Sequence, residues 1–313
     1  MTKISIIIPV YNESQNINVF LDRMIIEISK ITNDYEIIFA LDPSTDNTES
    51  VILKAIEKNK KIKLLVFSRR FGQSAATMAA LKNSKGDRCL IIDCDLQDPP
   101  ELLGKMYTKM DEGYDVVLAK RKSRKGETLV KKSITSIGYN LINKISDVKI
   151  PINSGDFRLI SKKIVNFLNE FDEPNAFLRG LVAYVGFKQT FIEYDRDERF
   201  SGISKYNKYL GSIKIAFNGL FGFGSKPIFF MSLLGFVFAF LSFLIGLYYV
   251  IVKIFDPNIT PGLSSTILII TFFSGLQLLA LGVLGEYIGR IYDEVKKRPK
   301  YIIDKKINFD EQK

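Results

Sequence analysis

Short aliphatic runs and longer amphipathic repeats alternate through the first third of the chain. Residues 4–8 (ISIII), 35–41 (YEIIFAL), 63–67 (KLLVF), 90–92 (LII) and 116–119 (VVLA) have the length and content of strands buried on both faces. Between the first two, Ile17, Phe20, Leu21, Met24, Ile25 and Ile28 recur at helical spacing behind Asn12 or Ser14 as a cap. Helices over about 51–56 and 74–81 fill the next two gaps. Pro9, the stretch DPSTD at 42–46 and Pro99-Pro100 mark where strands stop. Strands alternating with helices predict a doubly wound, mainly parallel α/β sheet. Ligands of such sheets bind beyond the carboxyl ends of the strands, which places Pro9, Tyr11, Glu13, Asp42, Asp93 and Asp95 along one crevice. Further on, the pattern predicts a helix over 130–145, a turn over 153–158 with Asp156 at its tip, and helices and a strand between 167 and 191. A charged loop over 195–206 closes this part.

The pattern changes near residue 209. Leu210, Ile213, Ile215, Phe217, Leu220, Phe221 and Phe223 interleave with Lys208 and Lys214, as in a helix lying in a membrane interface. Two apolar stretches follow, about 228–252 and 263–286, each near or above the roughly 20 residues that cross a bilayer. Lys205, Lys208, Lys214 and Lys226 precede the first stretch, and Arg290, Lys296, Lys297, Arg298 and Lys300 follow the second. That bias predicts a hairpin in the cell membrane with both termini cytoplasmic. The expected organisation is a cytoplasmic domain over 1–207, an interfacial segment over 208–227, two transmembrane helices within 228–287 and a basic cytoplasmic tail over 288–313.

Composition narrows the chemistry. Histidine is absent, which removes the usual general base and every Ser-His or Cys-His nucleophile. Two cysteines make no disulfide framework and suit a reducing compartment. The formal charge of +10 calls for anionic partners, which could be nucleic acid, a phosphorylated substrate or a lipid surface. Within residues 89–100, CLIIDCDLQDPP, an apolar run delivers Asp93, Asp95 and Gln97 at alternate positions. In extended chain, residues two apart share a side, so these three are expected to converge as a hard-oxygen site for Mg2+ or Mn2+. An isolated D-x-D is equally what a solvated acidic turn looks like.

The stretches SIIIPVYNE (5–13), Asp42 with its STDNT turn, RRFGQSAA (69–76), DCDLQDPPE (93–101), SGDFRL (154–159) and ERFSGISKY (198–206), followed by two apolar stretches, resemble polyprenyl-phosphate glycosyltransferases of glycosyltransferase family 2. That family includes bactoprenol glucosyl transferases and dolichol-phosphate mannose synthases. The resemblance implies a GT-A fold, a Rossmann-like and mainly parallel cytoplasmic domain followed by interfacial helices and a transmembrane hairpin. It implies donor contacts from Pro9, Tyr11, Glu13, Asp42 and Asp93, a metal held by Asp93, Asp95 and Gln97, and catalytic roles for Asp95 and Asp156. Asp156 is expected to orient the acceptor or steady the sugar, with base catalysis the weaker alternative, because a phosphate monoester is already anionic at neutral pH. The acceptor phosphate is expected at Arg121, Lys131, Arg199, Ser204 and Lys205, since only fixed cations let two phosphates approach.

The implied reaction is metal-dependent, inverting transfer of a sugar from UDP-glucose to undecaprenyl phosphate on the cytoplasmic membrane face, by a homo-oligomer, a tetramer. GDP-mannose, UDP-GlcNAc or an aminoarabinose donor remain alternatives, as does a non-catalytic membrane scaffold. No nucleic-acid role is expected, because the basic residues gather around the crevice and the membrane flanks. Pro43, where relatives carry a small residue, and Ile203, where they carry an acid, depart from the pattern. Processive polysaccharide synthases with a Q-x-x-R-W motif are disfavoured, since the chain has no tryptophan.

Overall fold

The computed structural model describes residues 3–122, 154–171, 178–196, 226–255 and 262–309. The expected helix at 130–145, the interfacial segment, and Lys131, Arg199, Ser204 and Lys205 lie outside the described residues. The strands are β1 (Ile4–Val10), β2 (Tyr35–Leu41), β3 (Ile62–Phe67), β4 (Arg88–Ile91), β5 (Val116–Arg121), β6 (Ser154–Ser161), β7 (Gln189–Tyr194) and β8 (Ile303–Ile307). They form one sheet in the order β7-β5-β6-β4-β1-β2-β3-β8. Strands β3, β2, β1 and β4 run parallel, as do β5 and β7, while β6 and β8 are antiparallel to their neighbours.

Helices α1 (Ile17–Ser29), α2 (Thr48–Lys58) and α4 (Leu103–Asp111) cover one face, and α3 (Gln73–Lys82), α5 (Lys162–Glu170) and α6 (Leu178–Val185) the other. The period of two along each strand divides the core between them. Ile4, Ile6 and Ile8 pack with Phe20, Met24 and Met106, whereas Ile7, Ile38 and Ile91 pack with Ala79, Leu81 and Val182. A short turn of 3-10 helix, Pro100–Leu102, leads into α4.

Chain order explains where a ligand fits. From β1 the chain moves outward through β2 and β3, then returns to place β4 on the other side of β1. The carboxyl ends of β1 and β4 therefore flank the topological switch point. Pro9 fits here despite lying in a central strand. Residues 5, 7 and 9 of β1 turn their backbone groups toward β4, and β4 pairs only as far as Ile7↔Ile91. The missing N–H of Pro9 thus falls beyond the last rung.

Three elements differ from the sequence reading. SGDFRL is strand β6 rather than a turn, wedged between β4 and β5, with Asp156 and Arg158 inside the strand. Helix α4 was not anticipated. The tail contributes β8: Ile303 pairs with Phe67 and Ile307 with Leu64, and the Ser68 N–H donates to the Ile302 carbonyl at 3.1 Å. Tyr301 packs edge-on against Phe67, and Asn308 Nδ2 donates to the Lys60 and Ile62 carbonyls.

Helices α7 (Lys226–Phe255) and α8 (Leu263–Val295) meet through Phe238, Phe272 and Phe273. Both are long and apolar enough to cross a membrane, over Lys226–Tyr248 and Phe272–Val295, and those stretches are unburied by protein. Phe229, Phe236, Phe240, Phe243, Leu278 and Leu281 project outward, a surface that only an apolar medium covers without cost. The chain is membrane-associated. Helix α8 continues past the expected end at 286 to Val295, and its last turns carry Glu286, Arg290, Asp293 and Glu294.

Candidate functional site

At the carboxyl edge, the loops after β1 and β2 are stitched together. The Asn12 N–H donates to Ser44 Oγ at 2.9 Å, the Thr45 N–H to Asn12 Oδ1 at 2.7 Å and the Glu13 N–H to Thr48 Oγ1 at 2.8 Å. Asn12 takes a left-handed backbone, φ 53°, as asparagine tolerates. Glu13 Oε2 accepts from Asn16 Nδ2 at 2.5 Å, so its carboxylate braces the start of α1. Tyr11 presents its ring to Arg70, whose Cζ lies 4.0 Å from the centroid. Asp42 is buried, and its two oxygens accept the N–H groups of Phe71 and Gly72 at 3.0 and 2.9 Å. Asp42 thus fixes the RRFGQ loop, which brings Gln73 Nε2 to Asp93 Oδ1 at 2.9 Å.

The D-x-D segment is not extended. Strand β4 ends at Ile91, and Leu96 sits at φ +62°, a left-handed turn that breaks the expected alternation. Asp95 and Asp98 are buried, while Asp93 and Gln97 are half-buried. Asp95 Oδ1 accepts the Gln97 N–H at 3.2 Å, an Asx-type turn. Among the described residues, no three acidic or thiol groups stand ready to cage a cation unaided.

Carboxylates nonetheless crowd this edge. The Asp93 carboxyl is pushed well above the usual range, first by burial, then by the charges of Asp98, Asp95 and Asp156, with Arg196 opposing. Asp156, on β6, receives Arg179 Nε on Oδ1 at 2.8 Å and Arg179 Nη2 on Oδ2 at 3.2 Å, a two-pronged grip from α6. Arg158 Nη2 lies 3.7 Å from the same carboxylate. Burial pushes Asp156 up, but the charges and hydrogen bonds of Arg179, with Arg158 and Arg121, outweigh it and hold the carboxyl at about 2. Burial draws Arg158 down to about 10 despite Asp156.

Arg121, at the end of β5, packs over Gly155, where a Cβ would come within 2.9 Å of its Nη2. Its Nε donates to Tyr194 Oη at 3.3 Å, and its Nη2 lies 3.8 Å from Asp98. The structure thus gathers Asp93, Asp95, Asp156 and Arg121, and adds Gln73, Asp98, Arg179, Tyr194 and Arg196. Gln73 and Asp98 stood within stretches quoted for the resemblance without being singled out. Arg179 is a lone charge in the apolar helix LRGLVAYV, and nothing in the sequence names its partner.

A mainly parallel sheet carrying this acidic, arginine-framed edge at its switch point is a GT-A architecture, and the protein is a glycosyltransferase. It belongs to glycosyl transferase family 2, whose profile matches residues 5–168. The chain is 40% identical to the SfII prophage-derived bactoprenol glucosyl transferase of Shigella flexneri, over 97% of this chain and 98% of that one. It is also 40% identical to the glycosyltransferase YkcC of Bacillus subtilis, over 99% of this chain and 95% of that one. Among solved structures, glucosyl-3-phosphoglycerate synthase from Mycobacterium tuberculosis aligns at a TM-score of 0.47 and 16% identity, over 70% of this chain and 76% of that one.

Proposed function

We propose that the protein transfers a sugar from a nucleotide sugar, UDP-glucose, to the phosphate of a membrane polyprenol on the cytoplasmic face. The carrying observation is the position of β8. Its register with β3 makes the chain leaving α8 join the sheet at Phe67 and Ser68, the carboxyl edge where the carboxylates and arginines gather. An edge next to a membrane helix suits an acceptor whose phosphate is tied to lipid. The bactoprenol glucosyl transferase relatives support the same acceptor. In this reading 1–207 is the catalytic domain, with both termini cytoplasmic, and the assembly is a tetramer.

The donor set fits a divalent cation. Mg2+ and Mn2+ bind through one or two carboxylates plus substrate phosphates rather than in a closed protein cage. Asp93 and Asp95, with Gln97, offer such an incomplete shell, and the crowding at Asp93 marks a place where positive charge is favourable. Bound there, the ion would neutralise the leaving diphosphate. Asp93, Asp95, Asp98 and Asp156 balance Arg121, Arg158, Arg179 and Arg196 one for one, so phosphate charge added by substrates calls for further cations. Lys131, Arg199, Ser204 and Lys205 belong to this reading as acceptor-phosphate residues. Tyr11, braced by Arg70, offers a ring face to the donor base, with Pro9, Glu13 and Asp42 shaping the loops around it.

Asp156, held at about 2, is no proton acceptor at neutral pH. It holds Arg179 and orients the acceptor. The phosphate oxygen then attacks the anomeric carbon as the bond to the diphosphate breaks, inverting the centre and releasing UDP. Purified protein in detergent, given UDP-glucose, Mg2+ or Mn2+ and undecaprenyl phosphate, is expected to form a lipid-linked sugar, and Asp95→Ala to abolish it. Product from no nucleotide sugar, or full activity in Asp95→Ala, overturns the reading.

A further inference from the structure

Asp98 enters the reading above only in the balance of carboxylates and arginines, yet it is 1% exposed. Its surroundings are assembled from distant parts of the chain. The left-handed turn at Leu96 swings the loop inward after Asp93 and Asp95. Parallel pairing sets Arg121 of β5 beside Tyr194 of β7, and the Lys122 N–H closes the rung on the Tyr194 carbonyl at 2.9 Å. The Tyr194 ring stands edge-on to Phe157, next to Asp156 in β6. From there the Tyr194 hydroxyl donates a short hydrogen bond to Asp98 Oδ1. The same oxygen lies 3.8 Å from Arg121 Nη2 and 3.8 Å from Arg196 Nε. Arg196 Nε is buried and has no hydrogen-bond acceptor among the described residues.

We propose that Asp98 is a positioning residue: clamped by Tyr194, it orients the Arg121 and Arg196 guanidiniums and so couples the loop bearing Asp93 and Asp95 to the cations that meet the acceptor phosphate. Two features support this. At 3.8 Å the carboxylate attracts each guanidinium without engaging its N–H groups in a hydrogen bond, so it can fix their direction while leaving donors to a phosphate. And one loop carries both Asp93, which faces the donor, and Asp98, which faces the arginines, so ordering it by a metal–diphosphate also sets the cations. The inference rests on Arg121 being an acceptor-phosphate residue.

The test uses the full-length protein in detergent, with calorimetric titration of undecaprenyl phosphate and of UDP with Mn2+, beside steady-state turnover. Asp98→Asn keeps an oxygen for the Tyr194 hydroxyl but loses the charge that orients the arginines. It is expected to weaken undecaprenyl phosphate binding and raise its KM by about tenfold, leaving UDP affinity unchanged. In a background lacking both arginines, Arg121→Ala with Arg196→Ala, the same change is expected to cost no more than about twofold, because the groups it orients are gone. Tyr194→Phe, which preserves the charge, is expected to raise the acceptor KM about threefold. Wild-type acceptor affinity in Asp98→Asn, or penalties that multiply in the background lacking both arginines, overturns the proposal. If Asp98→Asn fails to bind UDP and has not folded, Tyr194→Phe decides, and an unchanged acceptor KM overturns it. A wild-type protein that binds undecaprenyl phosphate but forms no lipid-linked sugar refutes the proposed function, while Asp98→Asn affinity still decides the role of Asp98.

Discussion

The two ends of the sheet each bury polar groups, and they do it in opposite ways. At the amino end, Glu36 on β2 accepts from Ser5 Oγ at 2.5 Å, the Lys85 N–H at 2.6 Å and Lys63 Nζ at 2.7 Å, while the Gly86 N–H reaches Ser5 Oγ at 2.8 Å. One carboxylate meets one ammonium, and a ring of donors closes around it. Gly86 is needed for this, because a Cβ there would come within 2.6 Å of the Ser5 nitrogen. At the carboxyl end, Asp93, Asp95, Asp98 and Asp156 share a small region, and several arginine contacts stand at 3.7–3.8 Å rather than at hydrogen-bond distance. A closed cluster stabilises a fold, and an open one awaits a ligand. The same carboxylate-to-amide change is therefore expected to have opposite effects on stability at the two ends.

The largest effect is expected at the open end. Asp93→Asn keeps an oxygen for Gln73 Nε2 but removes one of the crowded charges. Sugar transfer is expected to fall on the order of a thousandfold, since charge stabilisation at the diphosphate is lost. Without metal, the variant is expected to melt about 2–4 °C above the wild type, the shift that relief of about 1 kcal/mol gives a domain of this size. A melting point below that of the wild type would break the comparison.

Glu36→Gln at the closed end comes next. It strands Lys63 and turns an amide N–H2 toward groups that are themselves donors. A loss of about 3 kcal/mol is expected, because one partner of a buried pair is left uncompensated. Denaturant unfolding measures the loss, while turnover per folded molecule is expected to stay near wild type. A neutral Glu36→Gln would mean that this cluster is no more closed than the other.

How far the sequence foretold these ends depends on what signals them. Strands β1 to β5 were legible because they are largely buried runs, and helices α1 to α3 because each buries one face, which the apolar pattern shows directly. Strand β6 was not, because Gly155, Asp156 and Arg158 are turn-like or charged residues that fill interior positions facing the site. Strand β8, with Asp304, Lys305 and Lys306 at its centre, reads as a charged tail; such charges are what a sheet edge carries to stay soluble. At the site, Asp93, Asp95 and Asp156 were visible within the quoted stretches, and Arg121 through the family resemblance. Asp98, Arg179, Tyr194 and Arg196 were not, because each acts through a partner that only strand register and the Leu96 turn bring near.

The smallest expected effect concerns acid and separates two carboxylates of the open end. Asp156 has a folded value of about 2, against roughly 3.9 for an unhindered aspartate. A depressed value means that its contribution is present above pH 4 and is lost as the pH falls toward 2. That contribution is about 2 kcal/mol before solvent screening reduces it, since the side chain is 24% exposed. Asp93 has the opposite sign: its raised value makes the folded state take up a proton first, so it adds stability as acid is introduced, and it does so above the Asp156 window. Arg179→Met removes the two-pronged grip on Asp156 and leaves Asp93 alone. Thermal unfolding from pH 6 to pH 2.5 is expected to show a flatter loss below pH 4 in Arg179→Met than in the wild type, with no change between pH 6 and 5. Parallel curves below pH 4 would mean that Arg179 does not hold Asp156 charged, and the open end would then lack that two-pronged ion pair.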